Sequence, residues 1–195
     1  GHRDYRGGGR ASARETLNWV IAGSVAEMFC RSQNSNTKVT SQLVSVGGEE
    51  FTSIKDEKLQ KKLEEAKKQG ESFGAIVSLK VSSPEKGLGE PIFYKFKSEM
   101  ARALMSINAC TGVELGEGFA LAEKAGTEVH TEKQHGVYGG VRGGITTGEE
   151  ISFRLAFKPT SSILDVAKLG RHDPCVALRA LPIAEAMAWN VMADM

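Results

Sequence analysis

Cysteine, proline and aromatic residues are all scarce in this chain of 195 residues: three cysteines, five prolines and 7% aromatics. Cys30, Cys110 and Cys175 are odd in number and far apart, with no CxxC pair, which excludes a disulfide framework and reads as reduced thiols in a cytoplasmic protein. The same scarcity argues against metal: His130 and His135 have no ligand spacing behind them, and no metal site is expected. Charge of one sign is missing as well. A formal net charge of +1 gives no reason to expect a general nucleic-acid binder. No apolar run approaches the roughly 20 residues of a membrane span, and the basic, glycine-rich Gly1–Arg14 stretch does not resemble a secretory leader.

What is abundant is glycine, 22 residues, clustered at Gly7–Gly9, around Gly87 and Gly89, at Gly112, Gly116 and Gly118, and from Gly139 to Gly148. Such clusters suit either tight turns or loops that let a ligand approach the backbone. Length and composition fit one domain with a substantial core.

The Ser12-x-x-Glu15 pattern predicts a capping box opening a helix from about Ala13 to Cys30, with a buried stripe of Leu17, Val20, Ile21, Val25, Met28 and Phe29. A strand is expected over Lys38–Val46, and a charged helix over Asp56–Gln69 with Leu59, Leu63 and Ala66 inward and Gly70 closing it. Alternation of Phe73, Ala75, Val77, Leu79 and Val81, and of Ile151, Phe153, Leu155 and Phe157, predicts two more strands. Ser98 is expected to cap a helix ending near Asn108. Val113, Leu115 and Phe119 are expected in a short strand. Pro182 should open a final helix with Ile183, Met187 and Val191 buried. Half-buried strands without βαβ alternation predict an α+β fold with antiparallel sheets.

Three polar clusters could carry chemistry. The glycine triplet before a capped helix suits an anion, with Arg6, Arg10 and Arg14 around it. Lys158-Pro159-Thr160-Ser161-Ser162 leaves a strand with one cation and three hydroxyls, enough for a phosphate cradle or for a plain turn. Arg171-His172-Asp173-Pro174-Cys175 is followed by Arg179; adjacent His and Asp usually point apart, so the arginines are the better anion holders.

These segments together resemble chorismate synthases. Gly7 to Thr16 reads GGGRASARET; Gly87-Leu88-Gly89-Glu90-Pro91, Met105-Ser106-Ile107-Asn108-Ala109, Gly143-Gly144-Ile145, Lys158–Ser162, Gly170–Cys175 and Arg179–Met187 follow in the family's order. The resemblance implies a single domain over 1–195, with two antiparallel sheets sandwiching helices, and a homotetramer. It implies a lyase of the shikimate pathway and aromatic amino acid biosynthesis. Its reaction is the 1,4-anti elimination of phosphate from 5-enolpyruvylshikimate 3-phosphate, giving chorismate with reduced FMN; NADPH is a candidate reductant.

Carried over by motif, the cofactor contacts are Arg10, Ala11, Ser12, Asn108, Ala109, Gly143, Lys158, Pro159, Thr160, Ser161, Ser162 and Arg171. Asp194 and Ser12 are the catalytic candidates, with the Asp194 carboxyl expected against an apolar wall that raises its pKa. Arg6, Arg14 and Arg179 are the substrate candidates. The family's Gly-Glu-Ser-His-Gly and Pro-Gly-His segments have no counterpart here, and none of His2, His130, His135 and His172 replaces their histidines. The alternative is therefore a non-catalytic core that keeps anion and flavin binding, and slow turnover is expected of these residues alone.

Overall fold

The computed structural model describes residues 12–130, 136–165 and 172–195. Expectations on Arg6, Gly7–Gly9, Arg10, Ala11, His135, Gly170 and Arg171 lie outside the described residues.

Five strands form one antiparallel sheet in the order β2-β1-β3-β7-β4, where β1 is Lys38–Val46, β2 Glu49–Glu50, β3 Ala75–Ser82, β4 Cys110–Leu115 and β7 Ile151–Phe157. A small ribbon of β5 (Val141–Arg142) and β6 (Ile145–Thr146) stands beside it. Strict alternation decides the sheet's inner face: Val77, Leu79, Val81, Ile151, Phe153 and Leu155 are all buried. The expected α+β class with antiparallel pairing is what forms.

The helices among the described residues are α1 (Thr16–Gln33), α2 (Glu57–Gln69), α3 (Phe96–Met105), the short α4 (Gly126–Val129) and α5 (Ala177–Asp194). α5 and α3 pack on the sheet, and α1 packs on α5. Asp56 caps α2 through a 2.8 Å bond from the Lys58 N–H, and Gly70 closes it at φ 70, a conformation that suits glycine. The Glu185 carboxylate on α5 accepts from both the amide and the hydroxyl of Ser41, each at 2.7 Å, which ties the helix to β1.

Several expectations need correction. Ser12 caps a 3-10 turn, Ala13–Glu15, accepting from the Arg14 N–H at 3.3 Å; the Glu15 carboxylate turns to Asn18, so the box does not close as expected. α3 begins at Phe96, two residues before Ser98, because Lys95 already supplies the carbonyls that Ser98 and Glu99 bond. Phe119 lies in a 3-10 turn, Gly118–Glu123, and is 81% exposed. Pro182 sits inside α5, since the helix already starts at Ala177.

The largest departures concern which faces are buried. In α1 the expected stripe points outward: Leu17, Ile21, Val25, Met28 and Phe29 are all more than half exposed. Gly23 and Ala26 face inward, with Trp19 and Cys30 partly covered beside them. In α5 the buried row is Ala177, Ala180, Ala184 and Ala188 with Trp189 and Met192, while Ile183, Met187 and Val191 are only partly buried. Small residues on both helices let them approach closely: a Cβ placed on Gly23 would lie 2.5 Å from Ala186 Cβ. The outward row on α1 is a surface of the kind that interfaces cover.

Candidate active site

α5 contacts α1, α3 and the sheet, and candidates lie near both of its ends. At the Ala177 end lies the turn 158–162, which leaves β7. The Lys158 N–H donates to the Ala109 carbonyl at 3.0 Å, which joins the turn to Asn108–Ala109. Ala109 is held at φ 68, a left-handed conformation that costs a non-glycine residue about 1–3 kcal/mol and is concentrated at functional sites. The buried Ser72 donates its hydroxyl to the Thr160 carbonyl at 2.9 Å. Thr160 in turn donates to the Asp173 carbonyl at 3.2 Å, so that hydroxyl positions the turn. Lys158 and Ser161 remain exposed, as does Asn108. A fixed turn presenting an ammonium and hydroxyls fits an anionic group such as a flavin phosphate.

Arg179 does not stand free for substrate: its Nε lies 2.5 Å from the Asp173 carboxylate. Arg154 likewise pairs across the strands with Glu114 at 3.3 Å, so it does not join Lys158 as a second cation.

At the other end of α5, Asp194 is exposed. It lines a cleft of about 390 Å³ with Gly87, Gly89, Tyr94, Glu99 and Arg102, and a neighbouring one of about 370 Å³ with Met187 and Val191. The apolar wall expected behind Asp194 is thus shared with a bonded Arg102–Glu99 pair at 2.5 Å, and its carboxylate faces open, charged surroundings. Gly143 belongs to this end too. It lines a third cleft, of about 490 Å³, with Lys95, Gly144, Leu115 and Tyr138, and a side chain placed on it would meet open space. Gly144 accepts the first amide of α3 at 2.7 Å and abuts Gly89.

Ser12 lies at the same end. α1 and α5 are antiparallel, with Asn190 donating to the Trp19 carbonyl at 3.1 Å and Gly23 against Ala186, so the start of α1 stands beside the end of α5. Arg14, exposed, is there as well. Ser12, Arg14 and Asp194 stand near the Asp194 end of α5 and the Lys158–Ser162 turn near its Ala177 end, while Asn108 and Ala109 follow Ser106, which lines a cleft with Asp194. From Ala177 to Asp194 is about 25 Å at 1.5 Å per helical residue.

Lys95 and the Glu99–Arg102 pair were missed in the sequence. The i,i+3 spacing of Glu99 and Arg102 is legible as a helix-surface pair, but nothing local says that it faces Asp194. All three thiols are pushed above the ordinary range by burial; at Cys175 the nearby Asp173 adds to this, so none is poised as a nucleophile. Among the described residues there is no group of metal ligands, and no helix is long and apolar enough to cross a membrane.

Ser12 offers a direct check on its two roles. Aspartate caps as well as serine does, so Ser12→Asp should melt within about 1 kcal/mol of the parent. It should nevertheless weaken binding of an anionic flavin at that end of the molecule. Unchanged FMN affinity in a stable Ser12→Asp protein would leave serine with the cap alone.

The α+β chain presents a turn of one ammonium and several hydroxyls beside clefts with acidic lining, an arrangement of the kind that pre-formed small-molecule sites use. Comparison with known proteins narrows the class. The family model described as chorismate synthase matches residues 1–195, and the chain belongs to the chorismate synthase family. It is 45% identical over 214 residues to the chorismate synthase of Bdellovibrio bacteriovorus, covering 100% of this chain and 62% of that protein. A crystal structure of a chorismate synthase superposes with a TM-score of 0.78 at 29% identity, covering 94% of this chain and 63% of the other. The chain thus spans less than two thirds of the length of these relatives.

Proposed function

We propose that the chain forms the larger part of a flavin-dependent lyase that eliminates phosphate from 5-enolpyruvylshikimate 3-phosphate in the 1,4-anti sense to give chorismate. The observation that carries this reading is the family match over all 195 residues. The Lys158–Ser162 turn, pinned beside a left-handed Ala109, supports it as a ready cradle for a phosphate. A cytoplasmic location and a single domain over 1–195 belong to the same reading.

In this reading Lys158, Ser161 and Ser162, with Asn108 and Arg171, hold the flavin phosphate and ribityl chain. Reduced FMN, when bound, supplies an electron to the substrate transiently and recovers it, with NADPH as a candidate reductant. Fixed cations and donors aimed at the departing phosphate stabilise charge most where water is excluded. Arg6, Arg14 and Arg179 are the proposed substrate holders, Arg179 after exchanging Asp173 for the substrate. Asp194 accepts the carbon-bound proton, and Ser12 stands beside it. General base help of this kind contributes about 10²–10⁴-fold.

The homotetramer belongs to the same reading, in which the Lys158 turn of one copy and Asp194 of the next contribute to one shared site. The test is an anaerobic assay with chemically reduced FMN and 5-enolpyruvylshikimate 3-phosphate, following chorismate by its absorbance. Lys158→Ala and Asp194→Asn should each lose most activity. Mixed oligomers should regain up to about a quarter, because one shared site in each exchanged pair then has both residues intact. Absence of any FMN-dependent chorismate formation, however slow, from the parent protein would refute the activity, and mixtures no better than the separate variants would refute the shared site.

A further inference from the structure

His172 takes no part in the roles assigned above, yet its ring has the most demanding contacts around the phosphate cradle. Nδ1 lies 2.9 Å from the Ser162 carbonyl oxygen and Nε2 lies 2.8 Å from the Glu71 carbonyl oxygen. Both partners are acceptors only. A neutral imidazole has one N–H and one lone pair, so it can satisfy one carbonyl and must set its lone pair against the other. Turning the ring over does not help: carbon would then face both oxygens at distances well inside the 3.3–3.6 Å of a C–H···O contact. Two donors are needed, and only the imidazolium has them.

The ring sits where three segments meet. Glu71 follows α2, Ser162 ends the phosphate turn, and residues 172–174 lead into α5. The same three segments are bonded together by Ser72 to Thr160, Thr160 to Asp173, and the Phe73 N–H to the Pro174 carbonyl at 2.8 Å. The Leu164 N–H also donates to the Gly70 carbonyl at 2.7 Å. The charged groups on these segments are Lys67, Lys68 and Glu71 at the end of α2, Lys158 and Asp165 around the turn, and Asp173 with Arg179 before and within α5. The Glu71 carboxylate accepts from the Ser72 N–H, and that of Asp173 is held by Arg179 and the Cys175 N–H.

We propose that His172 is a positioning residue which, as an imidazolium bridging the Ser162 and Glu71 carbonyls, locks the Lys158–Ser162 turn in the shape that binds the flavin phosphate. The proposal rests on the flavin reading of that turn. When the ring loses a proton, one carbonyl faces a lone pair and that end of the turn is released. The anion adds to the effect, because it favours a cation beneath the turn, and coupling of this kind is reciprocal.

The test is FMN titration of the parent and of His172→Gln from about pH 5.5 to 8.5. Parent affinity should fall roughly threefold to tenfold as pH rises, the effect of one lost hydrogen bond. The glutamine variant should show only the shared change from the FMN phosphate's own ionisation. Nitrogen-15 spectra of the ring provide a second readout that does not depend on any variant folding: in the FMN-bound parent at about pH 7, both nitrogens of His172 should carry protons, since both face acceptors. Parallel pH profiles for the two proteins, or a single proton-bearing nitrogen, would overturn the proposal while leaving the flavin reading intact. A parent that binds no FMN at any pH would overturn the flavin reading and the ligand-positioning role together; ring spectra of the free protein would still show whether the bridge exists.

Discussion

Lys158→Ala should bind FMN roughly tenfold to a hundredfold more weakly than the parent, the effect of losing a charge-assisted contact of about 1.5–3 kcal/mol. The fold should barely notice. Lys158 makes its structural contribution through the backbone, where its N–H donates to Ala109, and alanine keeps that bond. Its side chain is exposed at the edge of the turn. Melting without flavin should therefore be unchanged, while a flavin titration shifts. An unaltered dissociation constant would remove the turn from the cofactor site, and the cradle would revert to an ordinary strand-end turn. Lys158→Arg keeps the charge and should recover part of the affinity, because guanidinium also bonds phosphate well.

Gly23→Ala should destabilise the protein by about 1–3 kcal/mol, although alanine is the better helix former by about 1 kcal/mol. The new methyl would stand 2.5 Å from Ala186 Cβ, 2.7 Å from its Cα and 2.9 Å from its carbonyl oxygen, and two of these three are backbone atoms. Rotating a side chain cannot relieve such a contact; α1 must move away from α5, and the close packing of the two helices is lost. For a chain of this length the melting temperature should fall by roughly 2–4 °C per kcal/mol. The companion Ala186→Gly removes only the Cβ of these three atoms and leaves the backbone contacts at 2.7 and 2.9 Å, so combined with Gly23→Ala it should recover only part of the lost stability. A Gly23→Ala protein as stable as the parent would mean that the helices are not in contact at Gly23.

The family resemblance was legible because the motifs are local. Lys158–Ser162 and Arg179–Met187 can be read without knowing what lies next to them. Local chemistry also set the strands: alternation in Ala75–Ser82 and Ile151–Phe157 fixes one inward face, since a one-residue slip would turn every core side chain to solvent. The Leu59, Leu63 and Ala66 stripe with Asp56 and Gly70 at its ends determined α2 in the same way. Each of these elements has only one apolar face to bury.

Where an element had two, the sequence by itself could not choose. α1 has an apolar row at Leu17, Ile21, Val25 and Met28 and a second row at Trp19, Gly23, Ala26 and Cys30. Hydrophobicity favours the first row; the close approach of Gly23 to Ala186 of α5 selects the second, because helices with small facing residues approach more closely than bulky ones allow. On a different side of α5 from Ala186, Ala180, Ala184 and Ala188 are buried ahead of Ile183 and Met187. Site geometry was decided at the tertiary level for a related reason. Proximity in sequence places Ser12 beside Arg14 and Asp173 beside His172, but only the antiparallel run of α1 on α5 carries Ser12 to Asp194, some 180 residues away. Only the meeting of three loops gives His172 two carbonyl partners, Ser162 and Glu71. Residue type and spacing determined which groups this protein has for holding an anion and moving a proton. Which of those groups share a cleft was decided by how α1 and α3 pack against α5.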